Sequence, residues 1–373
     1  MIELNQNNVH RICFVITGLG MGGAEKQVCD LADKLSLRGV NVIVISLADR
    51  VVVQPLLKDV RVYSINMKKN IFGFIRALWC ARRIIKDFNP QIVHSHMYHA
   101  NLFSRFLRML DPSFKLICTA HNTNEGGRWR MLSYRLTDWL ASISTNVSQE
   151  AVTSFEQANA VKKGRMILMY NGVNTDKYKY SESERVNKRR ELFLSNDDVL
   201  ILAVGRLTEA KNYKNLLSAF SKIKCEGRSL VLAIAGIGED KASLAQLAIE
   251  LGIESSVRWL GLRYDVAELM SAMDIYVMSS SWEGMPLVLC EAMSCGGIVV
   301  STDCGGTKEI VGDAGFLVPK ADSTLLANAL KSAIELTPEQ RAIISDKARD
   351  RILTRYSLCA VSDEWMQLYN KVV

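Results

Sequence analysis

Along this chain, short apolar runs rich in β-branched residues alternate with longer segments in which apolar and charged positions mix. In the first half the runs are Ile12–Ile16, Val42–Leu47, Ile92–Ser95, Leu116–Ala120 and Ser142–Val147, with a helix-like stretch, Ala24–Leu37, between the first two. Runs this short, without polar alternation, suit strands buried on both faces, and intervening helices make such a sheet parallel. The pattern restarts after Tyr178. Residues 179–197 are polar and charged and offer no strand; then come Val199–Val204, a helix from about Asn215, Leu230–Ala235, Ile275–Met278 and Ile298–Ser301. The prediction is an α/β protein of two Rossmann-like, doubly wound domains, 1–178 and 198–356, joined by a linker at 179–197. The amphipathic segment Ser357–Val373 is expected to return to the first domain. Ligands of open parallel sheets bind beyond the carboxyl ends of the strands, so two lobes facing each other would share a central cleft.

Composition narrows this picture. A chain of 373 residues suits two domains, and half apolar with a quarter charged is ordinary for a folded globular protein. No apolar run reaches the roughly 18 residues of a membrane span, and the polar start, Met1 to Arg11, lacks the apolar segment of a signal peptide, which points to the cytosol. The nine cysteines form no C-x-x-C pair, so reduced, buried thiols are expected. Charge is divided unevenly. Residues 1–180 hold 24 basic against 13 acidic side chains, whereas residues 181–373 hold 22 against 26. The first half is the one suited to an anionic surface.

Gly18, Gly20 and Gly23 have the G-x-G-x-x-G spacing of a dinucleotide-binding turn. That turn requires an acid at the end of the next strand to bind the ribose, but here the strand runs into Ser46-Leu47-Ala48, and Asp49 arrives late. The glycines indicate close approach of backbone to a phosphate or a sugar. A richer constellation lies in the second half, in "SSSWEGMPLVLCEAMSCGG". Gly284 admits a ligand close to the backbone, Pro286 suits a helix start, and the N–H groups of Met285, Leu287 and Val288 face outward as an anion site between Glu283 and Glu291.

These residues resemble the retaining glycosyltransferases of family 4, which have the GT-B fold. The mark is a pair of Glu separated by seven residues, here Glu283 and Glu291 within E-G-x-P-L-x-x-x-E-A-M-x-x-G. The resemblance covers nearly the whole chain, through Gly-Gly-Ala-Glu at 22–25, His96, "TAHN" at 119–122, "NGVNTDKY" at 171–178, "VGRLTEAKN" at 204–212, "AGIGED" at 235–240 and "STDCGGTKEIV" at 301–311. It implies that Arg206 and Lys211 hold the nucleotide diphosphate, that Glu291 accepts from the ribose, and that Glu283 and His121 meet the donor sugar. Gly236, Gly284 and the Met285–Val288 segment belong to the same donor site, and the Gly20–Gly23 loop, with Gly22 and Gly23, closes over phosphates or acceptor. Gly20, His96, Asn122 and Asn171 are assigned to the acceptor side. No cofactor and no metal are expected.

Three histidines, His94, His96 and His99, invite a metal reading, but no Cys or carboxylate lies beside them. The segment 68–88 has six basic residues and no acid before Asp87, with Phe74, Leu78, Ala81 and Ile85 as an apolar stripe that packs on the sheet. With "RFLRML" at 105–110 and "RWRMLSYR" at 128–135 it makes the first lobe a candidate face for an anionic membrane. The expected function is a metal-independent, retaining transfer of a hexose or N-acetylhexosamine from a nucleotide sugar, UDP being favoured by the resemblance. The acceptor would be lipid-linked, of the undecaprenyl-diphosphate type, or an oligosaccharide, at the inner face of the cell membrane in O-antigen or capsule assembly. Three alternatives stand beside it: a sugar-nucleotide epimerase of the same fold, an NAD-dependent oxidoreductase, and a non-catalytic polyanion binder. The acidic second half disfavours the last, and no nucleic-acid partner is expected.

Overall fold

The computed structural model describes residues 9–123, 125–195, 197–223 and 229–373; the first eight residues of the polar start, and Asn196 in the expected linker, lie outside the described residues. Two compact units are present: residues 1–172 together with 358–373, and residues 173–357.

The first unit is built on a seven-stranded sheet of β1 (Arg11–Ile16), β2 (Asn41–Ser46), β3 (Arg61–Ser64), β4 (Ile92–His96), β5 (Lys115–Ala120), β6 (Ile143–Asn146) and β7 (Met166–Leu168). Every pairing is parallel, and the order is β3-β2-β1-β4-β5-β6-β7. Helices α1 (Gly23–Ser36), α2 (Ile71–Phe88), α3 (Tyr98–Leu110), α4 (Arg128–Thr137) and α5 (Gln149–Gln157) supply the crossovers. Strand residues alternate between two cores: Ile12, Phe14 and Ile16 pack with α1, whereas Cys13 and Val15 pack with α2 and α3.

The second unit repeats the plan with β8 (Val199–Val204), β9 (Leu230–Ala235), β10 (Val257–Gly261), β11 (Ile275–Met278), β12 (Ile298–Thr302) and β13 (Phe316–Val318), in the parallel order β10-β9-β8-β11-β12-β13. Its helices are α6 (Glu182–Glu191), α7 (Tyr213–Phe220), α8 (Lys241–Glu250), α9 (Val266–Ala272), α10 (Leu287–Ser294), α11 (Thr307–Val311), α12 (Ser323–Ile334) and α13 (Pro338–Arg351). The chain then ends in α14 (Leu358–Val372), which buries Val361, Trp365 and Tyr369 among Phe14, Val28 and Leu31 of the first unit.

The division between units falls at Gly172/Val173, earlier than the linker read at 179–197. Most of that segment is α6, capped by the Ser181 hydroxyl and held to the second unit by Arg185 and Arg189, which bond the two carboxylate oxygens of Asp274 at 2.7 and 3.0 Å. Lys188 pairs with Asp265, and Arg263 with Glu191. Charges that read as a linker in the sequence form an ion-pair network on a packed helix.

In each sheet the strand order reverses at one point, between β1 and β4 in the first and between β8 and β11 in the second. The crevice beyond the strand ends at such a reversal is where α/β sheets bind ligands.

Candidate active site

In the second unit, β8 runs out at Gly205 and Arg206, and β11 runs out at Ser279. Two glycines let the β8 and β9 ends approach: a Cβ on Gly236 would lie 1.9 Å from the Gly205 carbonyl oxygen, and one on Gly238 would lie 2.2 Å from that of Leu207. The turn Glu209–Lys211 then carries Lys211, and Asn212, at φ 46°, breaks it and caps α7 by accepting from Asn215 N. This turn is fastened to the end of β11, because the Ser279 hydroxyl donates to the carbonyls of Lys211 and Asn212 at 2.9 and 3.1 Å.

The fastening brings Lys211 Nζ to 2.5 Å from Glu283 Oε1, which also accepts from the Ser280 hydroxyl at 2.7 Å. Gly306 N donates to the Gly284 carbonyl at 2.7 Å, and Gly305, at φ 58°, sits where a Cβ would collide with the Glu283 carbonyl oxygen. The "STDCGG" segment thus backs the Glu283-Gly284 loop.

Gly284, Met285 and Leu287 are buried and Val288 is half-buried; Pro286, expected in the first turn of α10, stands one position earlier, at its cap. That turn holds no acid, which keeps its N–H end favourable to an anion. Glu291 is buried on α10. Burial first, with Tyr213, Glu283 and Glu291 adding to it, pushes the Tyr276 phenol far above its ordinary range. Arg206 is exposed and makes no ion pair among the described residues. Ser279, Ser280 and Tyr276 were not singled out in the sequence; their polar groups at the end of an apolar strand were the available signal.

In the first unit the loop after β1 places Gly18, Gly20, Gly22 and Gly23 at the reversal point, with Gly22 as the cap of α1. The Glu25 side chain folds back so closely that a Cβ on Gly22 would lie 2.3 Å from its Oε2. Beside this loop, Ile16 of β1 is in register with His96 of β4. No carboxylate ends β2: Ser46 occupies that place and its hydroxyl donates to the Ala48 carbonyl, so the ribose acid of a dinucleotide turn is missing from the fold as well as from the sequence.

The histidines separate by role. His94 spans Tyr369 of α14 and Thr119 of β5, at 2.7 Å on each nitrogen, which leaves no lone pair for a metal. His96 Nδ1 lies 3.0 Å from His121 Nε2, and His96 Nε2 is buried without a partner. Burial lowers the His121 imidazole to about 4 and His96 well below its usual range, so both are neutral near pH 7. His99 is exposed on α3 and lies outside the sheet. Among the described residues no group of three His, Cys, Asp or Glu is placed to hold a metal ion. Asn122 is exposed, and its carbonyl accepts from Asn146 Nδ2; Asn171 is buried after β7.

Glu125, four residues beyond His121, was not recognised in the sequence. It is 8% exposed, accepts from the His121 backbone N–H, and is pushed up to about 7 by burial, against that hydrogen bond and the charge of Arg130. A lone acid in a glycine-rich loop carries little sequence signal; its burial is what makes it notable.

Residues 184–351 match the family model described as glycosyl transferases group 1, and residues 21–177 match Glycosyltransferase Family 4. The N-acetyl-alpha-D-glucosaminyl L-malate synthase of Bacillus anthracis is 24% identical over 76% of this chain and 76% of its own. A Campylobacter jejuni enzyme, N-acetylgalactosamine-N,N'-diacetylbacillosaminyl-diphospho-undecaprenol 4-alpha-N-acetylgalactosaminyltransferase, is 24% identical over 92% of this chain and 95% of its own. Among solved structures, Anabaena HepE in complex with UDP-glucose superposes with a TM-score of 0.85 at 23% identity, covering 97% of this chain and 99% of that one.

Proposed function

Given that this chain belongs to the family-4 glycosyltransferases and has their GT-B fold, we propose that it moves a hexose or N-acetylhexosamine from a UDP sugar to a lipid-linked or oligosaccharide acceptor, in the assembly of a bacterial surface polysaccharide. The observation that carries the reading is the Lys211–Glu283 pair, fixed at the strand reversal of the second unit beside the acid-free end of α10. UDP is favoured because HepE, of the same fold, binds UDP-glucose; a lipid-linked acceptor is favoured because the C. jejuni relative is named for one.

In the proposed reaction the sugar–phosphate bond breaks with positive charge spread over the sugar and negative charge left on the diphosphate. Arg206 and Lys211 take up that negative charge, each worth about 3–4 kcal/mol in a site closed to water. Glu291 holds the ribose, Glu283 and His121 orient the donor sugar, and Gly22, Gly23 and Gly236 let backbone approach the donor. The configuration is retained by a front-face displacement in which the leaving phosphate takes the acceptor proton; no metal takes part. Asn122 and His96 lie on the acceptor side, with Gly20 and Asn171, and the enzyme works at the inner face of the membrane.

Thermal stabilisation by UDP, GDP, their sugar conjugates and NAD tests this on the wild type and on Glu291→Ala. A ligand at a hundred times its dissociation constant adds about 2.7 kcal/mol. Stabilisation by UDP or a UDP sugar, lost in Glu291→Ala, is the expected result. Stabilisation by NAD alone overturns the transferase reaction proposed for this site.

A further inference from the structure

The loop that follows β5 is tied to the elements around it. Asn146 of β6 donates to the Asn122 carbonyl at 3.3 Å, and the Ser154 hydroxyl of α5 donates to that of Thr123 at 2.9 Å. Arg130 of α4 donates to the Glu125 carbonyl at 2.8 Å, with its guanidinium over the Tyr98 ring of α3. Gly126 and Gly127, at φ 98° and 115°, then turn the chain into α4. The fold therefore fixes where the Glu125 side chain stands, and it stands inside: the residue is 8% exposed.

Hydrogen bonds run from this carboxyl to the end of β4. Glu125 accepts from the His121 backbone N–H, the His121 imidazole bonds to His96 Nδ1 at 3.0 Å, and His96 is buried. Both ends of this series are open. Among the described residues, Glu125 Oε1 and His96 Nε2 are buried atoms with no partner. Leaving a buried polar atom unpaired is costly, and in folded proteins the great majority are paired, so two at the ends of one series call for a partner from outside the fold. They belong to the carboxyl ends of β4 and β5, beside the strand reversal where such sheets take ligands.

We infer that Glu125 is a residue by which the first unit selects its acceptor, its free oxygen accepting a hydrogen bond from a hydroxyl of a neutral sugar. The chemistry of the two open atoms chooses that ligand. A hydroxyl both donates and accepts, so it satisfies the carboxylate and suits His96 Nε2 in either tautomer; a phosphate brings its own negative charge against that of Glu125. Burial pushes the carboxyl up to about 7, against the His121 N–H and the charge of Arg130, so near pH 7 it is divided between acid and anion. The titratable and charged groups around it are the His121 imidazole and, on α4, Arg130 and Tyr134. None of them changes charge between pH 6 and pH 8: burial lowers His121 to about 4 and raises the Tyr134 phenol, and arginine remains a cation. The inference rests on the transferase reading, in which this unit takes the acceptor, and adds to it a residue and the ligand group it reads.

The experiment titrates the full chain with the methyl glycosides of glucose, galactose, N-acetylglucosamine and N-acetylgalactosamine at pH 6, 7 and 8, followed by saturation-transfer NMR, on wild type, Glu125→Gln and Glu283→Gln. UDP-induced thermal stabilisation and calorimetry are measured beside it. Wild type binds at least one glycoside, about tenfold more tightly at pH 8 than at pH 6, because the anion that accepts from the hydroxyl rises from about a tenth to about nine-tenths of the population. Glu125→Gln binds it at least about tenfold more weakly at pH 8 and shows no pH dependence. Its first unit still unfolds cooperatively, and UDP stabilises it as it does wild type. Failure of wild type to bind any of these glycosides, or binding by Glu125→Gln equal to wild type, overturns the inference. So does wild-type binding that is flat with pH yet lost in Glu125→Gln, which makes Glu125 a support of the His121 loop only. Binding lost in Glu283→Gln alone also overturns it and assigns the glycoside to the donor-sugar position. Absence of UDP stabilisation, with pH-dependent glycoside binding intact, sinks the UDP reading and leaves Glu125 as a sugar-binding residue.

Discussion

At the scale of single residues, two charges define what the proposed site can do, and a third bears on how the stability of the fold responds to pH. Lys211 and Glu283 are paired at 2.5 Å, so a diphosphate that engages the ammonium competes with a carboxylate for it. A group whose full value is realised only when charge develops on the leaving phosphate acts on turnover more than on affinity. Lys211→Ala is therefore expected to lower kcat by about 10²–10³-fold with a smaller change in KM. Equal losses in donor affinity and no loss in kcat would assign Lys211 to ground-state binding.

Glu125 works in the opposite sense to the buried histidines of the same unit. Between pH 4.5 and 6.5 the unfolded chain carries protons on His94, His96 and His121 that the folded chain, with those groups lowered, does not carry to the same degree, so stability falls as pH falls. Glu125, raised to about 7, binds a proton in the folded state that the unfolded chain has released above 4.5, so its contribution falls as pH rises through that window. Glu125→Gln removes the opposing term. The variant should lose stability on acidification more steeply than wild type, by about 1.4 kcal/mol per pH unit, and should be the more stable of the two above pH 7. Urea melts from pH 5 to pH 8 read both signs, and parallel curves would show that Glu125 is not protonated on folding.

At the scale of elements, the strands legible in the sequence and those that were not differ in position. β1, β2, β5, β8, β9, β11 and β12 each show an apolar run, β4 and β6 a buried run that turns polar, and each has a neighbour on both sides. β3, β7, β10 and β13, absent from the sequence reading, are the four edges of the two sheets. β3 and β10 are half-covered, and residues such as Arg61, Tyr63, Arg258 and Trp259 leave them no continuous apolar run, whereas β7 (Met-Ile-Leu) and β13 (Phe-Leu-Val) are apolar but only three residues long. The ion-paired helix α6 escaped for a related reason: its partners, Asp265 and Asp274, are remote in sequence. The junction of β8 and β9 was legible only through its glycines, and it makes a prediction of its own. Gly236→Ala puts a methyl group against the Gly205 carbonyl oxygen, a backbone atom that moves only with Arg206 beside it. The expected cost is about 1–3 kcal/mol of stability together with weaker UDP stabilisation; loss of stability with full nucleotide binding would separate this junction from the donor site.

At the scale of the whole molecule, the two units depend on the chain differently. The second is one continuous segment, 173–357, whereas the first is completed by the last sixteen residues, 358–373. That closing segment is not a loose tail. Val361, Trp365, Leu368 and Tyr369 are buried in the first unit's core, Trp365 packs against His94 with the rings tilted, and the Tyr369 hydroxyl bonds to His94. At about 1.5–3 kcal/mol for each large buried side chain, removing them withdraws an amount comparable to the whole 5–15 kcal/mol that holds a typical domain folded. Truncation after Ser357 should therefore abolish the first unit's unfolding transition in calorimetry and leave the second unit's transition in place, still shifted upward by UDP. Trp365→Ala should lower the first transition alone, by about 3–5 kcal/mol. A truncated chain that kept both transitions would show that the helix covers a finished domain. Loss of both would show that the second unit cannot fold without the first, and the division of the chain into two units would then be one of shape and not of stability.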